Sequence, residues 1–65
     1  MRNEEIGELA DAIHVISERV SDLAYDAVRE QIKGSDEHKA LERQLQSARR
    51  SLVKAESLLR ALGNQ

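Results

Sequence analysis

The amino-acid sequence predicts an all-α fold, an antiparallel two-helix hairpin with coiled-coil-like packing. The first observation is that apolar residues recur in alternating steps of three and four in each half of the chain, which keeps one stripe of a helix facing a partner. In the first half the stripe is Ile6, Leu9, Ile13, Ile16, Val20, Leu23 and Ala27. In the second half it is Leu41, Leu45, Ala48, Leu52, Ala55, Leu59 and Leu62.

The second observation is a break in this pattern at Gly34. Steps of three and four continued from Ala27 through Gly34 lead to Gln44, whereas the leucine stands at position 45. If the halves fold back on each other, pairs whose position numbers sum to 68 bring every stripe residue opposite another, with Gly34 at the centre. The predicted layers are Ile6–Leu62, Leu9–Leu59, Ile13–Ala55, Ile16–Leu52, Val20–Ala48, Leu23–Leu45 and Ala27–Leu41, followed by Glu30–His38.

Local signals set the expected bounds of the two helices within a single domain, residues 1–65. Asn3 is a candidate N-cap for a first helix over about residues 4–33. Gly34 suits the left-handed conformation that ends helices, which predicts a turn at about residues 34–35. Acidic residues at positions 36 and 37 favour the start of a second helix over about residues 36–62, and Gly63 is a stop signal.

The composition limits the function classes. A 65-residue chain without cysteine has no disulfide or thiolate site, and its own core is marginal because short chains bury a small fraction of their surface. There is no apolar run near the ~20 residues needed to span a bilayer and no signal-peptide core. We therefore expect a cytoplasmic protein with no membrane contact, no cofactor and no small-molecule substrate.

Apolar residues outside the stripes form two groups that predict contact with another chain. Near the open end of the hairpin these are Ala12, Val15, Leu58 and Ala61, and on the outside of the first helix near the turn they are Tyr25, Val28 and Ile32. Scattered apolar surface residues are common and can be without function. A lone hairpin, however, leaves much of its core exposed, so we expect a homodimer in the form of a four-helix bundle, a partner protein, or both.

Charge is unevenly distributed. Residues 1–33 carry eight acids and four bases, whereas residues 34–65 carry four acids and six bases. The outside of the second helix bears a basic stripe of Lys39, Arg43, Arg50 and Lys54. Such a stripe is usually a solvated face. Its functional interpretations are contact with an acidic protein or with a nucleic-acid backbone, where basic side chains displace counterions.

Catalysis and metal binding have little support in the sequence. Asp11, His14 and Glu18 share a helix face at a spacing compatible with metal ligation. Carboxylate-bridged metal bundles need inward-facing ligands from several helices, and His14, next to Ile13 of the stripe, is expected to face solvent. The serines have no base arranged to activate them. We expect no enzymatic activity.

These observations predict a non-enzymatic protein-interaction module, a small regulator, inhibitor or assembly adaptor that acts through its helix faces as a homodimer. The alternative is a nucleic-acid-binding regulator that uses the basic stripe. In size and layout the chain resembles plasmid RNA-binding hairpins that dimerise into four-helix bundles. No motif can be matched residue by residue, so this architectural likeness implies no family and no function.

Overall fold

The computed structural model describes residues 2–31 and 36–64 and contains two helices there. Helix α1 comprises Arg2–Gln31 and helix α2 comprises Asp36–Gly63. Asp11 of α1 contacts Arg60 of α2, and three residues further along α1 His14 contacts Glu56, four residues earlier in α2. Because positions rise along one helix as they fall along the other, the helices are antiparallel, and the predicted two-helix hairpin is confirmed.

The helix bounds agree closely with the sequence prediction. Helix α1 begins at Arg2, two residues before the predicted start, so Asn3 lies within its first turn rather than before it. Helix α2 begins at the predicted residue, with Asp36 and Glu37 in its first turn, where they complement the positive end of the helix dipole. The predicted turn at Gly34 and the contact residue Ile32 lie outside what the structure describes, and so do the side chains of the predicted Glu30–His38 pair.

The contact between the helices is built on small residues. Ala10, Ala24 and Ala27 are buried, and Ser17 is buried beside them. Ala10, Ser17 and Ala24 follow one another at intervals of seven, two helical turns, so they form one row along α1. Together with Ile6, Ile13 and Val20 they make up the seam of α1, the row of residues that packs against α2. Among the described residues, no large side chain is fully buried.

The predicted layers are therefore partly wrong. Leu9, Ile16 and Leu23 were expected to face α2, but they remain 51, 47 and 56 % exposed. Each precedes a buried small residue by one position, so α1 is rotated by about half a residue step, roughly 50°, from the predicted orientation. In α2, Leu41 and Leu62 are likewise about half exposed, whereas Leu45, Leu52 and Leu59 are half-buried as predicted.

The physical reason for the rotation is the size of the seam residues. Alanine and serine on the contact line let two helix axes approach closely, and larger side chains then fit better beside the line than on it. A single partner helix covers only a narrow strip of its neighbour. The hairpin thus buries its small residues and leaves about half of the predicted apolar stripe exposed beside the helix contact.

Gly63 marks a close approach at the open end of the hairpin. It is the last residue of α2, and a Cβ added there would lie 3.5 Å from Cγ2 of Ile6 and 3.9 Å from the carbonyl oxygen of Asn3. Asn64 follows it and donates its backbone N–H to the carbonyl of Arg60 at 3.1 Å. Gly63 therefore ends α2, as the sequence predicts, and it also brings the end of α2 against the start of α1.

Candidate interaction surfaces

One broad side of the hairpin carries polar contacts between the helices. Arg60 donates to Asp11 at 3.1 Å and, within its own helix, to Glu56 at 2.8 Å. Nδ1 of His14 lies 3.2 Å from Oε1 of Glu56, and Nε2 of His14 lies 3.4 Å from Oε1 of Glu18. We call Asp11, His14, Glu56 and Arg60 the salt-bridge side. Asp11 and His14 each follow a residue of the α1 seam by one position, and Arg60 follows the half-buried Leu59 of α2.

Glu56 is the centre of this network. Its side chain is only 16 % exposed, whereas that of His14 is 55 % exposed. The hydrogen bond from Arg60 holds the pKa of the Glu56 carboxyl below its usual range; partial burial opposes this shift, and the contact with His14 adds to it. The same carboxylate, with Asp11, raises the pKa of Arg60. The arrangement therefore favours an ionised Glu56 that ties α2 to α1.

The opposite side of the hairpin is apolar. Residues that precede the seam by one position must lie across the seam from those that follow it, since one residue step turns a helix by about 100°. Viewed from one end of the hairpin, the two antiparallel helices turn in opposite senses. Residues that lie one position before the contact line in α1 and in α2 therefore lie on the same side of the hairpin. The leucine side, as we call it, comprises Leu9, Ile16 and Leu23 from α1, which precede Ala10, Ser17 and Ala24 of the seam. From α2 it comprises Leu41, Ala48 and Leu62, which lie one position before the seven-residue row that contains the half-buried Glu42, Glu56 and Gly63. All six residues of the leucine side are exposed in the hairpin.

The sequence contains a signal for this surface that the layer prediction did not use. Ala10, Ser17 and Ala24 immediately follow Leu9, Ile16 and Leu23, so a stripe of apolar or small residues occupies three positions of every seven along α1. A two-helix seam needs only two positions in seven, whereas a stripe of three is typical of helices packed in larger bundles. The width of the stripe, more than its period, indicates the exposed side.

The structure places the predicted contact residues at several points around the hairpin. Ala12, Val15, Leu58 and Ala61 are exposed, with Leu58 at 59 %. By the same helical geometry Ala12 and Leu58 border the leucine side, whereas Val15 and Ala61 point away from the partner helix. The four residues of this group, which were expected on one side of the hairpin, therefore do not form a single patch. Ala12 and Leu58 extend the leucine side at its two edges.

Tyr25 and Val28 are also exposed, but on another part of the surface. Both lie on the salt-bridge side and outer face of α1. The guanidinium carbon of Arg29 is 5.9 Å from the centre of the Tyr25 ring, and Arg29 lies 3.8 Å from Asp26. These local contacts order the Tyr25 ring on the surface of α1 without involving α2.

The basic stripe is exposed along α2. All four of its members, Lys39, Arg43, Arg50 and Lys54, are solvent-accessible and lie away from the leucine side. Nothing in the hairpin covers this stripe among the described residues, so its charges are free to act on solvent or on a partner. The candidates for a functional surface are therefore the leucine side, the Tyr25 region and the basic stripe.

Three observations bear on other kinds of site. In the described part of the chain no three His, Cys, Asp or Glu residues are grouped so that they could hold a metal ion. Over residues 2–31 and 36–64, neither helix contains an apolar stretch long enough to cross a bilayer. A shallow cleft of about 150 Å³ at the open end is lined by Asn3, Gly7, Leu59, Arg60, Gly63 and Asn64, which is smaller than the roughly 300–1,000 Å³ typical of ligand sites.

Comparison with known proteins adds no family. No protein-family model, curated protein or solved structure matches the chain. The functional argument therefore starts from the surfaces of the hairpin itself.

Proposed function

We propose that this protein is a non-enzymatic protein-interaction module that works as a homodimer, a four-helix bundle formed by two hairpins. The observation that carries the proposal is the leucine side. Leu9, Ile16 and Leu23 are each about half exposed, and they form one row with a spacing of seven residues. A second hairpin packed against this row would bury the exposed part of these side chains in the core of a four-helix bundle.

The dimensions of the hairpin fit this occupant. A broad side spans 50 × 14 Å between its outermost Cα atoms, about 700 Å², so two copies would bury about 1,400 Å² in total. Stable protein interfaces bury about 1,200–2,000 Å². A second copy also matches the leucine side in length and in apolar character, because it presents the same surface.

Self-association also answers the stability problem of a short chain. Without a fully buried large side chain among the described residues, the hairpin alone gains little from the hydrophobic effect. Small scaffolds that lack disulfides or metals commonly reach stability by association. In such a dimer the salt-bridge side and the outer helix faces, including Tyr25 and the basic stripe, remain available to a partner protein, as in a regulator, inhibitor or assembly adaptor.

Mass in solution tests the proposal. Sedimentation equilibrium should give twice the 7.3 kDa mass of the chain at micromolar concentration. Ile16→Asp and Leu23→Asp should each raise the dissociation constant about 100-fold or more, since each removes a large apolar contact worth about 1.5–3 kcal/mol from both copies. A wild-type monomer at these concentrations would refute the homodimer.

A matched control separates the leucine side from apolar surface in general. Val53 is exposed on the salt-bridge side, so Val53→Asp introduces the same charge on the opposite surface. This variant should keep the dimer mass. If Val53→Asp dissociates the dimer and Leu23→Asp does not, the second copy binds the salt-bridge side, and the proposed interface on the leucine side is wrong.

A further inference from the structure

Two symmetric dimers can be built on the leucine side, and they differ in which helices become neighbours. If the two-fold axis runs along the helices, both hairpins point the same way and α1 of one copy lies beside α2 of the second. We call this the same-end dimer. If the axis crosses the helices, the hairpins point in opposite directions, and α1 lies beside α1. We call this the opposite-end dimer.

We propose that the protein forms the same-end dimer, with α1 of each copy packed beside α2 of the second copy. This inference rests on the proposed homodimer and specifies its architecture. Two observations carry it: the charges of the two helices, and the residues that border the leucine side.

The first observation is the opposite charge balance of the helices. Helix α1 contains eight acids and three bases, whereas α2 contains four acids and six bases. The same-end dimer places each acidic helix beside a basic one on both sides of the bundle. The opposite-end dimer places the two acidic helices side by side, and like charges within the Debye length of about 8–10 Å repel.

The second observation concerns the borders of the leucine side. Every seventh residue lies on each border: Glu5, Ala12, Arg19 and Asp26 on α1, and Glu37, Gln44, Ser51 and Leu58 on α2. All eight are exposed in the hairpin, so their side chains can reach a second copy, although Asp26 also lies 3.8 Å from Arg29 of its own helix. These border positions decide which arrangement is compatible with the sequence.

In the same-end dimer the border pairs follow from symmetry. Rotation about an axis along the helices does not change the position of a residue along that axis. Residues of α1 therefore meet α2 of the second copy in the register that His14 and Glu56 show within one hairpin, with position numbers that sum to 70. Ala12 then lies opposite Leu58 of the second copy, Arg19 opposite Ser51, and Asp26 opposite Gln44. The pairs comprise one apolar contact and two contacts between a charged and an uncharged polar side chain, with no like charges.

In the opposite-end dimer the α1 border of one copy lies along the α1 border of the second copy, and the two run antiparallel. With the helices overlapping over their full length, Glu5 approaches Asp26 of the second copy, and Ala12 approaches Arg19. The first pair juxtaposes two carboxylates at each end of the bundle, and the second leaves Leu58 without its apolar neighbour. Both arrangements bury the same leucine side, so the border residues and the helix charges favour the same-end dimer.

Thiol crosslinking distinguishes the two arrangements, since the chain has no cysteine of its own. Ala12→Cys protein is refolded together with Leu58→Cys protein and treated with a short bismaleimide. A parallel mixture combines Ala12→Cys with Arg19→Cys. The same-end dimer predicts an efficient heterologous crosslink in the first mixture and little in the second, and the opposite-end dimer predicts the reverse. A Val15→Cys and Leu58→Cys mixture is the matched control, because Val15 points away from the interface.

A distance measurement supplies a readout that does not depend on thiol geometry. Spin labels at Glu5→Cys should lie about 20 Å apart in the same-end dimer, two helix diameters, but about 35 Å apart in the opposite-end dimer, given 1.5 Å of rise per residue. A short distance with the Ala12–Leu58 crosslink supports the inference. A dimer with the long distance, or without that crosslink, overturns the inference and leaves the proposed homodimer intact, whereas a monomer by sedimentation overturns the proposed function itself.

Discussion

Glu56 of α2 lies 3.2 Å from Nδ1 of His14 in α1, on the side of the hairpin opposite the leucines. Arg60 donates to the same carboxylate at 2.8 Å and to Asp11 across the helix contact at 3.1 Å. The helices are thus joined by polar contacts on one side and left apolar on the other. This two-sidedness links the fold to the proposed function, because a second copy can dock without disturbing the salt bridges.

The Glu56 network makes the unfolding free energy depend on pH in the acidic range. The pKa of Glu56 is lowered in the folded protein, chiefly by Arg60, so the unfolded chain binds a proton at higher pH than the folded one. The stabilising contribution is complete above the usual glutamate pKa of about 4.3 and is lost as the pH falls through the lower folded value. Urea unfolding followed by circular dichroism at pH 7, 4 and 3 should show this loss.

Removing the carboxylate should flatten that dependence. Glu56→Gln keeps the size of the side chain but cannot ionise, so its unfolding free energy should fall less between pH 7 and pH 3 than that of the wild type. Glu8→Gln, on the exposed outer face of α1, is the matched control and should follow the wild-type curve. Equal slopes for Glu56→Gln and the wild type would show that the ionisation of Glu56 does not contribute to the pH dependence of stability.

Gly7 offers a stabilising substitution. It lies inside α1, and among the described residues a Cβ added there would meet nothing within 4 Å apart from its own helix and chain neighbours. Gly7→Ala should therefore raise the unfolding free energy by about 0.5–1 kcal/mol, because alanine loses less conformational freedom in a helix. Gly63→Ala should gain less, because Gly63 is the last residue of α2 and a helix end has less conformational order to stabilise; its Cβ would make only an ordinary van der Waals contact with Ile6. Thermal melting at fixed protein concentration compares the two, and a destabilised Gly7→Ala would contradict the open space beside Gly7.

The small-residue seam can be tested by enlarging one of its members. Ala24 is fully buried between the helices, so Ala24→Leu should cost about 1–3 kcal/mol by forcing them apart. The same change at Ala40, which is exposed on α2, should stay within about 0.5 kcal/mol of the wild type. Had α1 the orientation predicted from its leucines, Ala24 would border the contact and the enlargement would cost little. Urea denaturation of the two variants decides between these orientations.

The sequence predicts the hairpin well because its signals are local. Apolar periodicity and a single glycine between two long helix-forming segments specify two helices, and the observed bounds differ from the predicted ones by no more than two residues wherever both are described. Leu45, Leu52 and Leu59 were also placed correctly on the contact side of α2. These features depend only on the helical periodicity of apolar residues, which can be read directly from the sequence of each segment.

The orientation of each helix about its own axis is harder to predict. Leu9 and Ala10 both lie on the apolar stripe, and periodicity does not decide which of them faces α2. The decision depends on how closely the helices approach, a property of both surfaces together. Ala10, Ser17 and Ala24 permit a close contact, and Leu9, Ile16 and Leu23 are displaced to the side. The layer prediction therefore placed against α2 the apolar side chains on which the proposed dimer depends.

The last prediction concerns the basic stripe on α2 and the alternative of nucleic-acid binding. In the proposed same-end dimer the two α2 helices lie diagonally opposite, so Arg43 and Arg50 of the two copies face away from each other. Each stripe is flanked by an acidic α1, which weakens attraction for a phosphate backbone. We expect no gel shift of duplex RNA or DNA at low salt, and we expect Arg43→Glu/Arg50→Glu to retain the dimer mass. A salt-dependent shift that this double variant abolishes would instead favour the nucleic-acid-binding regulator, because displaced counterions make such binding steeply sensitive to salt.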